Sequence, residues 1–454
     1  MSVDTICALA TATGGALGII RISGAQSLEI LSHIFTKDLS DAKANTIHYG
    51  HIIESDAVSQ HQNIVDEVLV SVFRAPRSYT GENSVEISCH GSRYILNKVL
   101  ALLLQHGCRT AEPGEFTKRA YLNGKLDLSQ AEAVADLIAS SNKATHQLAM
   151  SQLRGGISSE LSQLRDQLLK LTSLLELELD FSDHEDLEFA DRTELSSIAN
   201  KINKHIAKLS QSFKLGQAIK QGIPVAIVGK TNVGKSTLLN RLLHDDRAIV
   251  SDIHGTTRDT IEDTIDLQGI TFRFIDTAGI RQTSDQVEQI GIERTYAAIN
   301  KARIVIWMVD EEPSQEELSK IETFAENKKL IIVRNKIDKA ENKPFTLVKY
   351  PLIEISAKHN QNIDLLEQSI YQAADIPALS DSDIIITNAR HYDALIRARQ
   401  AIQRVVNGLQ QQLSGDLLSE DLRQALDILS EITGGQITPN EVLGNIFKNF
   451  CVGK

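Results

Sequence analysis

Apolar and polar positions along the chain follow three textures in succession. Over residues 1–119, short runs rich in β-branched residues, "GIIRISG", "DEVLVSVF" and "SVEISCHG", alternate with amphipathic stretches such as "SRYILNKVLALLLQHG". Strand-like and helix-like periods in one segment predict a mixed α+β domain. Over 120–216, Leu and Ile recur three and four residues apart, as in "LRDQLLKLTSLLELEL", with almost no Gly or Pro to interrupt them. That spacing gives each helix one apolar face and predicts helices packed on helices. Over 217–377, the strand-like runs "IPVAIVG", "TFRFIDT", "RIVIWMVD", "KLIIVRNK" and "LIEISA" alternate with helical segments such as "STLLNRLL" and "NIDLLEQSIYQAA". The alternation predicts a parallel α/β sheet with crossover helices.

Beyond residue 377, "ARHYDALIRARQAIQRVV" and "EDLRQALDILSEI" return to helical periodicity. The economical arrangement is a discontinuous helical domain, 120–216 with 378–454, interrupted by an inserted α/β domain, 217–377. Such an insertion is tolerated where the host chain ends lie close together on a surface. No internal repeat or low-complexity segment is present.

Composition narrows the class. A chain of 454 residues, 42% hydrophobic and 23% charged, can bury two or three cores of ordinary size. Its net charge of -12 argues against broad nucleic-acid binding through overall positive charge, although a local basic face could still hold RNA. The four cysteines, at 7, 89, 108 and 451, have neither metal-ligand nor disulfide-scaffold spacing, which suits a reducing cytoplasm. The first residues lack a basic n-region and carry Asp4, and no 18-residue apolar run occurs, so neither secretion nor membrane spanning is expected.

The chemistry concentrates in the α/β segment. "GKTNVGKST", residues 229–237, lies between a predicted strand and a predicted helix, as a phosphate-cradling P-loop requires. Its backbone N–H groups turn toward phosphates, Lys235 reaches the β and γ oxygens, and Ser236 offers its hydroxyl to Mg²⁺. In "DTAG", Asp276 can reach Mg²⁺ through water and Gly279 can give its N–H to the γ-phosphate. In "NKID", Asp338 can accept both hydrogens of the guanine N1 and N2 edge, a donor pair adenine lacks, and "SAK" backs the base with main-chain donors. The expected GTP contacts are Asn232, Val233, Gly234, Lys235, Ser236 and Thr237, then Asp276, Thr277, Ala278 and Gly279, then Asn335, Lys336 and Asp338, then Ser356 and Ala357. The switch segment "VSDIHGTTRD" adds Ser251, Asp252, Ile253, His254, Gly255, Thr256 and Thr257, with Thr257 expected on Mg²⁺. Many enzymes of this kind place a glutamine after the switch glycine to orient the attacking water; here that residue is Ile280.

These four motifs, in this order, resemble the translation-factor-like GTPases. Asn232 before the second P-loop glycine and hydrophobic Ile280 resemble the potassium-activated members. That resemblance implies a K⁺ ion held by Asn232 and the main-chain carbonyls of Ser251, Ile253 and Thr256, supplying the charge an arginine finger would bring. It further implies that Glu288 orients the water, through a second water; read without the resemblance, Glu288 is one more solvated acid on the helix beginning near "VEQIGIERTYAA".

The flanks carry the more specific likeness. "CRTAEPGEFTKRAYLNGKLDLSQAEAVADLIAS", "GGALGIIRISG", "RAPRSYTGEN" and the terminal "FCVGK" closely resemble the MnmE (TrmE) family of tRNA modification GTPases, over the whole chain. The resemblance implies a cytoplasmic homodimer that joins the flavoprotein MnmG in a heterotetramer, with FAD and NADH acting through that partner. The pair would install an aminomethyl or carboxymethylaminomethyl group at C5 of the wobble uridine of certain tRNAs. The one-carbon unit would come from a tetrahydrofolate derivative, in its 5-formyl or methylene form, bound in the N-terminal domain by Arg21, Glu82, Lys125 and Lys454. Asn83, commonly Asp, and Ser92, commonly Gly, depart from the family pattern beside that pocket. Cys451 is a candidate nucleophile, or else a small buried hydrophobe.

Two further readings stay open. A GTPase of this type can instead be a regulatory switch in ribosome assembly without chemistry of its own, or a folate-dependent methyltransferase regulated by its G domain. The acidic stretch "LDFSDHEDLEF" has no fixed metal-loop spacing and is expected to be a solvated loop between helices.

Overall fold

The structure is a computed structural model describing residues 4–55, 62–180, 192–244, 263–275, 297–339, 345, 350–377, 383–435, 440–448, 450, 451 and 453. The chain divides into two compact units. The first comprises Met1–Ala139, Ala149–Ile206 and Asp393–Lys454; the second comprises Ser140–Leu148 and Ala207–Tyr392.

In the first unit, strands β1 (Thr5–Leu9), β2 (Leu17–Ser23), β3 (Thr46–Ser55), β4 (Gln62–Phe73), β5 (Ser84–His90) and β6 (Cys108–Thr110) form one sheet in the order β3-β4-β5-β2-β1-β6. All neighbours are antiparallel except β1 and β6. Alternation along the strands sends Ile20 and Ile22 of β2, Val68, Val70 and Val72 of β4, and Val85 and Ile87 of β5 into one core. The helix Arg93–Gln105 closes that core with Leu96, Val99, Leu102 and Leu103. Arg21 and Glu86, in register across β2 and β5, belong to the alternate set. The period-two pattern thus separates packing from chemistry.

The helical part of this unit follows the predicted spacing. In the helix Gly156–Asp180, Leu161, Leu164, Leu168, Leu171 and Leu175 form one buried stripe. It packs with the helix Gly415–Thr433, whose Leu418, Leu422, Ala425, Leu429 and Ile432 are buried at the same period. The terminal helix Asn440–Phe447 puts Leu443 and Phe447 against Leu128 and Ala131. From there the chain returns to the sheet: Gly114 N–H donates to the Cys451 carbonyl at 3.3 Å, and Arg21 donates to the Gly453 carbonyl at 3.3 Å.

In the second unit, β7 (Ile223–Gly229), β8 (Asp263–Leu267), β9 (Ile270–Phe274), β10 (Ile304–Val309), β11 (Lys329–Arg334) and β12 (Leu352–Glu354) form a sheet in the order β12-β11-β10-β7-β9-β8. Every pair is parallel except β8 with β9. Central β10 is buried along its whole length, as a strand covered on both faces must be. One face packs on the helices Lys235–His244 and Ile363–Ala373, the other on Ile299, Ala302 and Leu318. Each of the strand-like runs read from 217–377 contains a strand. β8 was not among them, although Ile265 and Leu267 alternate with polar residues and Gln268–Gly269, both at positive φ, make a two-residue hairpin turn.

Among the described residues no helix is long and apolar enough to cross a membrane, and no His, Cys, Asp and Glu cluster has the makings of a metal site. The acidic loop residues Asp183, His184, Glu185 and Asp186 lie outside the described residues.

Candidate functional site

Three loops meet at the C-terminal ends of the parallel strands in the second unit, the end of an open α/β sheet where ligands bind. The first leaves β7 at Gly229 and enters the helix Lys235–His244. Gly229 and Gly234 take positive φ, and a Cβ on either would collide with the Met308 carbonyl or the Asn335 amide. Asn232, between them, is also at positive φ and exposed. Positive φ at these positions is the backbone that an anion-binding nest requires.

Lys235 folds across this nest, its Nζ donating to the carbonyls of Gly229 at 2.7 Å and Lys230 at 2.8 Å. Burial pushes its ammonium below the ordinary lysine value. A half-buried cation facing neutral carbonyls on such a loop suits a polyanion such as a phosphate chain.

Asn335, the first residue past β11, is buried and uses both ends of its amide within the protein. Its Nδ2 donates to the Val233 carbonyl at 2.8 Å, and its Oδ1 accepts from Ala357 N–H at 3.0 Å. It is a strut joining the P-loop to the loops after β11 and β12. Asp338 accepts from the Ser356 hydroxyl at 2.7 Å, which holds its carboxyl below the ordinary aspartate value and keeps it an acceptor. Lys336, at φ 67°, sends its ammonium to Asp310 at 2.9 Å. Val233, Gly234, Asn335, Lys336, Asp338, Ser356 and Ala357 thus belong to these three loops, and Lys235, Ser236 and Thr237 to the first turn of the helix that the first loop enters. Ser251, Asp252, Ile253, His254, Gly255, Thr256, Thr257, Asp276, Thr277, Ala278, Gly279 and Glu288 lie outside the described residues.

A second charged site lies in the first unit. Arg21 bonds Glu86 at 2.8 and 2.9 Å, and its guanidinium lies 5.6 Å from the ring centres of Tyr79 and Phe116. Glu82 accepts from the Ser23 hydroxyl at 2.8 Å and from Arg119 at 3.2 Å. Lys125 donates to the Pro76 carbonyl at 3.1 Å, on the same 74–83 loop that carries Glu82. Arg21, Glu82 and Lys125 are therefore tied to one region by the sheet, this loop and the returning C-terminus. Lys454 lies outside the described residues.

The two departures from the family pattern are accommodated. The Asn83 amide oxygen accepts from Ala75 N–H at 3.1 Å, a bond an aspartate would make equally. Ser92 sits at φ -62°, ψ 126°, which any residue adopts, whereas a Cβ on neighbouring Gly91 would strike the Gly15 carbonyl. Cys451 is exposed, which excludes the reading of it as a small buried hydrophobe; Cys7, Cys89 and Cys108 are buried, and all four are free thiols.

Sequence reasoning did not find Arg119. It is 4% exposed and donates to Glu82, to Glu115 at 3.0 Å, and to the carboxylate and carbonyl of Asp4 at 2.9 and 3.0 Å. The only local signal is the Glu115/Arg119 spacing of four on one helix; its other partners are far apart in sequence.

Residues 5–125 match the family model described as GTP-binding protein TrmE N-terminus, and residues 128–451 match the MnmE helical domain. The tRNA modification GTPase MnmE of Phocaeicola vulgatus is 55% identical over 99% of this chain and 99% of its own length. The protein of that name in Bacteroides thetaiotaomicron is 54% identical over the full length of both chains, and that of Parabacteroides distasonis 53% over 99% of this chain and 100% of its own. With an N-terminal TrmE domain, a helical domain and a P-loop GTPase-like sheet in one chain, this protein belongs to the MnmE (TrmE) family.

Proposed function

We propose that this protein is a tRNA modification GTPase, binding GTP at the three loops of the second unit and using its hydrolysis to drive modification of tRNA. The observation that carries the reading is the Asn335 strut, which couples the phosphate nest at Val233 to the base-reading loops at Ala357. Asp338, held ionised by Ser356, accepts from the guanine edge. The oxygen donors suit hard cations: Ser236 with Thr257 for Mg²⁺, and Asn232 with the carbonyls of Ser251, Ile253 and Thr256 for K⁺. When bound, these ions neutralise charge developing on the transferred phosphoryl group. Glu288 orients the water that Ile280 cannot.

The finer reading follows the family. The domains run 1–119, 120–216 with 378–454, and 217–377. The N-terminal domain is a folate-binding-like fold that takes a tetrahydrofolate derivative at Arg21, Glu82, Lys125 and Lys454, and it dimerises in the cytoplasm. Exposed Cys451 acts in the modification beside it. MnmG, carrying FAD and using NADH, completes the enzyme that acts at C5 of the wobble uridine.

Steady-state GTP hydrolysis in K⁺ and in Na⁺ at equal ionic strength, with Asn232→Ala alongside, tests the nucleotide site. Many-fold acceleration by K⁺ that the variant loses is expected. Equal rates would overturn the potassium assignment, and absence of hydrolysis the GTPase reading itself. Mass spectrometry of tRNA from cells lacking the protein tests the modification; unchanged wobble uridines would overturn that part.

A further inference from the structure

The opposite, N-terminal end of the second unit's sheet holds a cavity of about 590 Å³ that the nucleotide reading does not use. The helix Arg192–Gln221 contributes Gln211, Lys214 and Gln221 to it, and the strand ends contribute Arg273 and Arg303. Register puts the two arginines on either side of one residue. Arg273 pairs with Pro224 across β9 and β7, and Arg303, one step before the Ile304–Val225 pair of β10 and β7, donates its N–H to the Pro224 carbonyl at 2.9 Å. In-register residues of parallel strands point to the same face, so the guanidinia leave one face two strand spacings apart, about 9–10 Å at the backbone. Lys214 projects from the helix into the same concavity.

The charge there runs against the rest of the chain. The net charge is -12, yet the cavity carries three cations against one carboxylate, Asp375, itself 3.5 Å from Lys329. Among the described residues neither Lys214 nor Arg303 has a carboxylate partner. A cluster of this kind, on an acidic protein and away from the P-loop, suits an anion other than the triphosphate. The glutamines add amides: exposed Gln211 can donate and accept, and the Gln221 Nε2 already bonds Gln217, leaving its oxygen. Guanidinia and ammonium for phosphates, beside amides for a hydroxyl that both donates and accepts, match a ribose–phosphate backbone with its 2′-OH.

We propose that this concavity is a contact site for the RNA backbone, gripping phosphates through Lys214, Arg273 and Arg303 and ribose hydroxyls through Gln211 and Gln221. The inference rests on the reading of the protein as tRNA-modifying and assigns part of the RNA contact to the end of the GTPase sheet away from the nucleotide. Because the site reads backbone, it adds affinity and orientation rather than sequence preference.

Binding of a labelled unmodified tRNA transcript to the full-length protein, over a series of salt concentrations, tests it. The triple variant Lys214→Gln/Arg273→Gln/Arg303→Gln is expected to weaken binding about 30-fold at about 0.1 M salt and to lower the slope of log K against log salt by about 2. Lys320→Gln, which removes one positive charge from an exposed pair with Glu316 elsewhere in the unit, is the control for a single lost cation and should change neither. Gln211→Ala should narrow the preference for RNA over DNA of the same sequence. The basal K⁺-dependent GTPase rate of the triple variant reports folding. With that rate intact, unchanged affinity and slope in the variant, or no RNA binding by the parent protein, would overturn the inference while leaving the GTPase reading standing. Loss of hydrolysis in the parent protein would overturn that reading instead.

Discussion

The two charged sites of this protein are built on opposite plans. At the nucleotide loops the working groups are backbone N–H donors and a few side chains in contiguous stretches, with Asn335 tying the stretches together from behind. At the N-terminal site the groups are side chains gathered from distant parts of the chain. Arg21 meets the carbonyl of Gly453, and Arg119 meets Asp4, Glu82 and Glu115. A backbone cradle tolerates much side-chain change but depends on its struts. A side-chain network depends on charge balance, because each buried ion is costly once its partner is removed.

The sharpest way to break that comparison is to remove the centre of the network. Arg119→Met leaves Glu82, Glu115 and Asp4 facing one another without their shared cation. The first two carboxylates are only 18% and 10% exposed, so little solvent screens them. We expect a loss of about 3 kcal/mol in the stability of the first unit, read as a lower first transition in thermal denaturation. The K⁺-stimulated GTPase rate measured below that transition should be unchanged. A loss under about 1 kcal/mol would show that Arg109, which also bonds Asp4 and Glu115, carries the network alone.

The matching change at the other site is Asn335→Ala. It strands the Val233 carbonyl and the Ala357 N–H, at about 1 kcal/mol or more each. Nucleotide affinity should fall about 30-fold, with the melting of the first unit unaltered. Fluorescent-nucleotide titration checks this, and affinity within about twofold of the parent would remove Asn335 from its role as strut.

The same difference in plan explains what could be read from the sequence. "GKTNVGKST", "NKID" and "SAK" are local, so the nucleotide loops and the strands bearing them were legible in the sequence, though not the order of those strands in the sheet. β8 escaped because its alternation is short and two of its five residues are acidic, although Gln268–Gly269 marks its turn. Arg119 escaped for a deeper reason: the partners that give it meaning stand 115 and 37 residues away, and no periodicity announces them. Even Asn335, legible as a nucleotide-loop residue, gave no sign that its amide would be spent inside the protein rather than on the ligand.

The smallest effect expected lies in pH. Burial alone would raise the Glu115 carboxyl, but the Arg109 hydrogen bond, Glu112 N–H and Arg119 outweigh it, leaving the group below its ordinary 4.5. Asp4 behaves alike: burial raises it, and the bond and charge of Arg109 with the charge of Arg119 bring it below 3.8. A carboxyl whose pKa is lower in the folded state than in the unfolded chain stabilises the fold above the unfolded value. That contribution is lost as pH falls through the folded value. The first unit should therefore hold its stability down to about the ordinary carboxylate range and lose it on further acidification. Arg109→Gln removes the largest lowering influence on both groups, so its folded values move toward the unfolded ones and less stability remains to be lost. Thermal denaturation followed from about pH 6 to about pH 3 should give a shallower acid limb for Arg109→Gln than for the parent. Parallel limbs would mean that Arg119 alone sets both carboxyls, placing the whole charge balance of this site on one guanidinium.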